Sequence, residues 1–128
     1  MRRLLIIASV LTSFTLLGQD RGNCADYSNK KAERKFKKMR DFDYPMDRSG
    51  TIFQMKELVN KYSTYPELIA FIAGHYQQSS YKTMRPDLKM NVRDSAKEWF
   101  TKLSETCPAY QGHLAYYWLG RMNHEEGK

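Results

Sequence analysis

The sequence predicts an all-α domain of antiparallel helical hairpins. Apolar residues recur at three- and four-residue spacing in segment after segment, and no stretch alternates over the length of a strand. The segments are separated by Pro, Gly and Ser, which mark turns. With 41% hydrophobic and 13% aromatic residues, the 128-residue chain has enough apolar material to close a core.

The first segment is a targeting signal rather than part of that core. Met1, Arg2 and Arg3 form a basic start, Leu4 to Leu17 is apolar, and Gly18 and Gln19 offer a small-residue exit. This is the pattern of a secretory signal peptide over residues 1–18. The apolar run is short of the roughly 20 residues that span a bilayer, which disfavours a membrane anchor. A lipoprotein site at Cys24 is disfavoured because Arg21, Gly22 and Asn23 precede it. Without Arg2 and Arg3 the chain carries 19 basic against 14 acidic residues, so the formal charge drops from +7 to +5. About 110 residues then remain, enough for one small domain.

Residues 19–27 are polar and predict an irregular lead-in. Ser28 or Asn29 caps a first helix to about Arg40, a basic helix with Ala32, Phe36 and Met39 or Arg40 as a narrow apolar stripe. Asp41 to Gly50 holds turn signals, after which Thr51 caps a second helix with Ile52, Met55, Leu58, Val59 and Tyr62 on one face. Ser63 to Pro66 breaks it. A third helix, Glu67 to Gln78, is apolar nearly all round, as a helix buried between others is. Ser79 to Val92 is expected to be an extended loop, Asp94 or Ser95 to cap a fourth helix ending before Pro108, and Gly112 or His113 to begin a fifth running to Glu126.

Shifting the second helix by 41 positions superposes Met55 on Ala96, Leu58 on Trp99, Val59 on Phe100 and Tyr62 on Leu103. Each of these helices leads into a Pro turn and then a helix with an interior Gly, Gly74 or Gly120. In this order of elements the chain resembles the tetratricopeptide repeat. Tyr116, Leu119 and Gly120 match the signature of that repeat's first helix. Ala96, Phe100, Leu103 and Pro108 match its second helix and stop; Gly74 and, more loosely, Met55, Val59, Tyr62 and Pro66 match upstream. The usual period is shorter than 41, and the loop expected over residues 79–92 would hold the excess. The resemblance implies about two and a half repeats over residues 28–128, stacked as a short α-solenoid. In this reading Gly74, Gly120 and Ala96 permit close helix approach, and the final helix, lacking a partner, exposes Trp118 or Met122 for homo-oligomer formation.

An early Cys, the basic segment from Ser28 to Phe36, and later Cys107-Pro108-Ala109-Tyr110 with Tyr116 to Arg121 also resemble the N-terminal repeat region of certain Bacteroidetes envelope proteins. Those proteins join tetratricopeptide repeats to a β-propeller and an OmpA-like peptidoglycan-binding domain. The likeness implies a periplasmic or outer-membrane setting, and leaves open whether this chain is part of a longer protein or a short relative. The tetratricopeptide resemblance implies a protein or peptide ligand in a groove lined by the residues three before, one after and four after each Gly: Phe71, His75, Gln78, Tyr117, Arg121 and His124. No cofactor is expected, and no metal, since the His and Cys residues form no ligand-spaced set.

A second surface follows from charge. Lys30, Lys31, Arg34, Lys35, Lys37 and Lys38 crowd one short helix. They suit an acidic partner or an anionic membrane surface, as a docking face or electrostatic tether, unless they are simply a solvated face. Nucleic acid is not expected after export. Cys24 and Cys107 are an even pair in an oxidising compartment, so one disulfide closing a loop of about 80 residues, or two thiols, are both open. Catalysis has little to stand on. His75, His113 and His124 are scattered, and Cys107 with His113 is a weak thiol–base pair, so a Cys-dependent enzyme is the least favoured reading.

Overall fold

A computed structural model describes residues 29–127 of the protein. The expected signal peptide, the lead-in and Cys24 lie outside the described residues. Every regular element within them is helical: α1 (Lys30–Lys38), a π-helical stretch (Met39–Asp43) with a single α-turn (Tyr44–Met46), α2 (Arg48–Lys61), α3 (Pro66–Lys82), α4 (Pro86–Thr106) and α5 (Leu114–Glu125). The chain is all-α over this range.

Asn29 caps α1, its side-chain oxygen accepting from the Lys31 and Ala32 amides at 3.0 and 3.2 Å. The π turn that follows has a covalent cause. Pro45 supplies no N–H, and its ring would meet the carbonyl four residues back in a regular helix. Widening the preceding turn avoids that clash, and the Tyr44 amide donates to the Met39 carbonyl, five residues back. The segment therefore stays helical where a turn was expected. Asp47, rather than Thr51, caps α2: its carboxylate accepts from the Gly50 amide at 3.1 Å, and Thr51 is buried inside the helix.

The expected loop over residues 79–92 is not present. α3 continues to Lys82, a three-residue turn follows, and Pro86 occupies the first turn of α4. Proline is at home there because the first amides of a helix have no internal partner. The 41-residue spacing is thus taken up by a longer helix, 21 residues in α4 against 14 in α2.

α3 and α4 make the most extensive pairing, with α5 on α4 and α2 on α3 beside it. Leu68, Ile69, Ile72 and Ala73 of α3 meet Ala96, Phe100 and Leu103 of α4 in one core that also takes in Met55, Val59, Ala115 and Met122. The glycines play no part in it. A Cβ at Gly74 or Gly120 would meet nothing within 4 Å, so neither serves close helix approach; the buried Ala96 sits in the core instead. α5 is also better covered than expected. Met122 is buried and Trp118 half-buried, stacked on Phe100 at 6.3 Å, while Tyr116 and Tyr117 are the exposed residues. Glu125 fastens this end, accepting from the Tyr81 hydroxyl and from Arg93 at 3.0 Å each, and Glu126 pairs with Lys97. Burial works against the Glu125 charge, but the hydrogen bonds from Tyr81 and Arg121 and the nearby Arg93 hold its carboxyl below the usual range.

Candidate functional site: a cleft between alternate helices

α1, α3 and α5, the first, third and fifth helices, converge with the α4–α5 turn on one cleft of about 360 Å³. Phe36 and Arg40 line it from α1, Glu67, Ala70 and Phe71 from α3, Leu114 from α5, and Tyr110 and Gln111 from the turn. Its apolar side is a chain of ring contacts. Phe36 meets Phe71 edge-on at 5.5 Å and Tyr65 at 6.0 Å, and Tyr44 meets Phe71 at 4.9 Å.

The polar side carries both signs. The Arg40 guanidinium lies 5.4 Å from the Phe36 ring centre and pairs with Asp41 at 2.9 Å. Glu67 accepts a hydrogen bond from the Tyr65 hydroxyl at 3.0 Å. Burial, reinforced by the Glu67 charge, pushes the Tyr110 phenol up to about 12, so it stays a neutral donor and acceptor. Burial and the bond to Glu67 likewise raise Tyr65. Apolar rings beside a cation, a carboxylate and neutral hydroxyl and amide groups suit one or two side chains and the backbone of an extended peptide.

The turn at the lip is held in an unusual conformation. Gln111, Gly112 and His113 all have positive φ, at 46°, 66° and 64°. Such geometry is easy for Gly but costs an L-residue about 1–2 kcal/mol. Gln111 is both strained and part of the cleft wall, a coincidence common at binding sites.

Of the groove residues expected from sequence, the cleft contains Phe71 alone. His75, a turn further on, is half-buried with Nδ1 2.9 Å from the Tyr44 hydroxyl. Burial first, then the Arg48 and Lys56 charges, lower its pKa, so the neutral ring can accept from Tyr44. Gln78 is exposed outside the cleft. Tyr117, Arg121 and His124 are exposed on α5, where Arg121 Nη1 donates to the Tyr117 hydroxyl at 3.2 Å and the guanidinium lies over Trp118. The structure does not bring these three to the cleft. Tyr110 and Gln111 escape the sequence reading because a turn's position depends on the helices it joins; Arg40 reads as part of the first helix's stripe and Glu67 as the start of the third helix, neither as a cleft residue.

Lys30, Lys31, Arg34, Lys35, Lys37 and Lys38 are all exposed, as expected, with Lys37 3.4 Å from Glu33. Of the repeat-signature residues Ala96, Phe100 and Leu103 are buried, Leu119 is partly buried, and Gly74, Pro108, Tyr116 and Gly120 are not core. Cys107 is buried and disulfide-bonded, so in this state it presents no thiol to His113. Among the described residues no group of three or more His, Cys, Asp or Glu is placed to hold a metal ion, and no helix is long and apolar enough to cross a membrane. No protein-family model matches the chain, and neither a curated protein nor a solved structure shows significant similarity to it.

Proposed function

We propose that the protein is an exported, tetratricopeptide-like interaction domain of the bacterial cell envelope, and that its cleft takes an extended segment of a protein partner. One observation carries this reading: the cleft draws its walls from α1, α3 and α5. Those are the positions that the repeat pattern gives to first helices, the ones that line the groove in that family. Stacking as a short solenoid, a signal peptide over residues 1–18 and a place beside an OmpA-like domain belong to the same proposal.

The test is peptide selection from a random display library, followed by affinity measurement. Ala70 is partly buried in the cleft wall, so Ala70→Trp fills the space, with an unchanged melting temperature as the check that the core beneath it is intact. Selected peptides bind the unaltered protein and lose at least about tenfold on Ala70→Trp, while Tyr117→Ala leaves them unchanged. Peptides that tolerate Ala70→Trp and lose affinity on Tyr117→Ala would move the site to the face of α5.

A further inference from the structure

The structure assigns a second surface, distinct from the cleft: the outer face of the N-terminal rod, residues 30–46, which we infer docks on an anionic lipid bilayer by charge and by insertion of Phe42 and Met46. Charge alone does not lead to this. The consequential feature is the π turn, which changes which side chains share a face.

Lys30, Arg34, Lys38, Phe42 and Met46 lie at successive four-residue intervals. In a regular α-helix such positions drift about 40° per step around the axis, so the last would lie well away from the first. The wider turn over Met39–Asp43 offsets the drift. The inward side shows the same change of register: Ala32, Phe36 and Met39 pack toward the core at ordinary spacing, and the next inward residue is Tyr44, five positions on. Tyr44 thereby reaches Phe71 and His75. The outward row remains outward, with Phe42 72% and Met46 87% exposed.

The result is one exposed strip, basic through its first three positions and apolar at its last two. Lys31, Lys35 and Lys37 flank the basic part and are also exposed. The acidic groups on and beside the rod are Glu33, 3.4 Å from Lys37, Asp41, paired with Arg40, and Asp43 and Asp47, which share a hollow with Phe42 and Met46. The positive charge of the strip therefore resides in its first three positions, where Lys30, Lys31, Arg34, Lys35 and Lys38 outnumber Glu33. A row of Lys and Arg ending in an exposed Phe and Met matches an interfacial helix: cations meet the headgroups while apolar side chains enter the acyl boundary. Charge complementarity selects an anionic surface. The two large apolar side chains favour a bilayer over an acidic protein, since a lipid surface buries them without needing a matched pocket.

The test is flotation of the full chain with vesicles of phosphatidylcholine alone, or of phosphatidylcholine mixed with phosphatidylglycerol, at low and high salt. Any contribution from residues 1–28 is common to all variants, so the comparison isolates the rod. The protein floats with the mixed vesicles and part of it stays bound at high salt. Phe42→Ala with Met46→Ala weakens binding by about tenfold or more and removes the salt-resistant part. Lys31→Glu with Lys38→Glu abolishes the preference for phosphatidylglycerol. These side chains are exposed, and an unchanged melting temperature verifies that both variants fold. Binding that is unaffected by Phe42→Ala with Met46→Ala would overturn the proposal. So would equal binding to both vesicle types by the Lys31→Glu with Lys38→Glu variant and the unaltered chain, or an acidic polypeptide bound while vesicles are not.

Discussion

Around α4 and α5 the helices are locked by a closed core and by ion pairs that Glu125 and Glu126 make to Arg93, Arg121 and Lys97. The rod from α1 to Met46 is attached differently. It turns Ala32, Phe36, Met39 and Tyr44 inward, with Phe36 and Tyr44 against Phe71 of α3 and Met39 beside Leu58 of α2, and leaves most of its other side chains exposed. One region holds its shape by interdigitation across several helices, the other by one row of side chains, two of them aromatic. The cleft lies where the two meet, with Phe36 and Arg40 from the rod facing Ala70, Phe71 and Leu114 from the locked part.

The largest expected effect separates the two regions. Phe100 is fully buried in α4, and Phe100→Ala should lower global stability by about 3–5 kcal/mol. Amide hydrogen exchange should then accelerate together across α3, α4 and α5. Phe36→Ala removes an equally buried ring, but the loss of protection should concentrate in residues 30–46. If both variants expose α3 and α4 equally, the rod and the bundle are one cooperative unit and the contrast is wrong.

The disulfide at Cys107 should rank next. Reducing that bond should lower stability by roughly 2–4 kcal/mol, the usual worth of a native disulfide. Denaturant unfolding with and without reductant measures it. A midpoint insensitive to reductant would remove this bond from the account of the fold's stability.

A smaller effect tests the ring contacts. His75 carries a pKa lowered below its ordinary value of 6.5 by burial and by Arg48 and Lys56. The folded state therefore binds this proton less readily than the unfolded chain. The stabilising contribution of the neutral ring is complete above pH 6.5, declines as pH falls toward the lowered folded value, and levels off below it. His75→Gln should flatten the melting temperature across that window. An unchanged pH dependence in the variant would mean that the burial of His75 and its nearby cations do not shape the profile.

The smallest effect concerns the lip. Gln111→Gly relieves a left-handed conformation worth about 1–2 kcal/mol but adds freedom to the unfolded chain, for a net gain of about 0.5–1 kcal/mol. Peptide affinity should fall as the amide leaves the cleft wall. A variant that is less stable would show that Gln111 makes up for its strain through contacts to the bundle.

Much of the architecture was legible in the residues themselves. Asn29, one of the two candidates, caps α1, and the apolar rows of α2 and α4 named their own buried faces, because caps and periodicity act locally, whereas Pro66, which reads as part of a break, opens α3. The misreadings came where one residue type has two uses. Pro86, inside the stretch that reads as an extended loop, starts a helix. The polar stretch around it is the exposed flank of α3 and α4 rather than a loop. Gly74 and Gly120 suggested close packing but face open space, since a Gly in a helix does not say what lies beside it. Nor did the sequence disclose the π turn, which arises from Pro45 acting on a helix already running, and which alone brings Tyr44 inward. The cleft was half visible: Phe71 was found, whereas Tyr110 and Gln111 depend on a turn folded over from two helices away.

The central claim is that the seam between rod and bundle is the binding surface. Backbone amide NMR of the protein, titrated with a display-selected peptide, tests it most directly. The account predicts that shifts cluster at Phe36, Arg40, Ala70, Phe71, Gln111 and Leu114. Shifts confined to Tyr117, Arg121 and His124, with the seam silent, would contradict it.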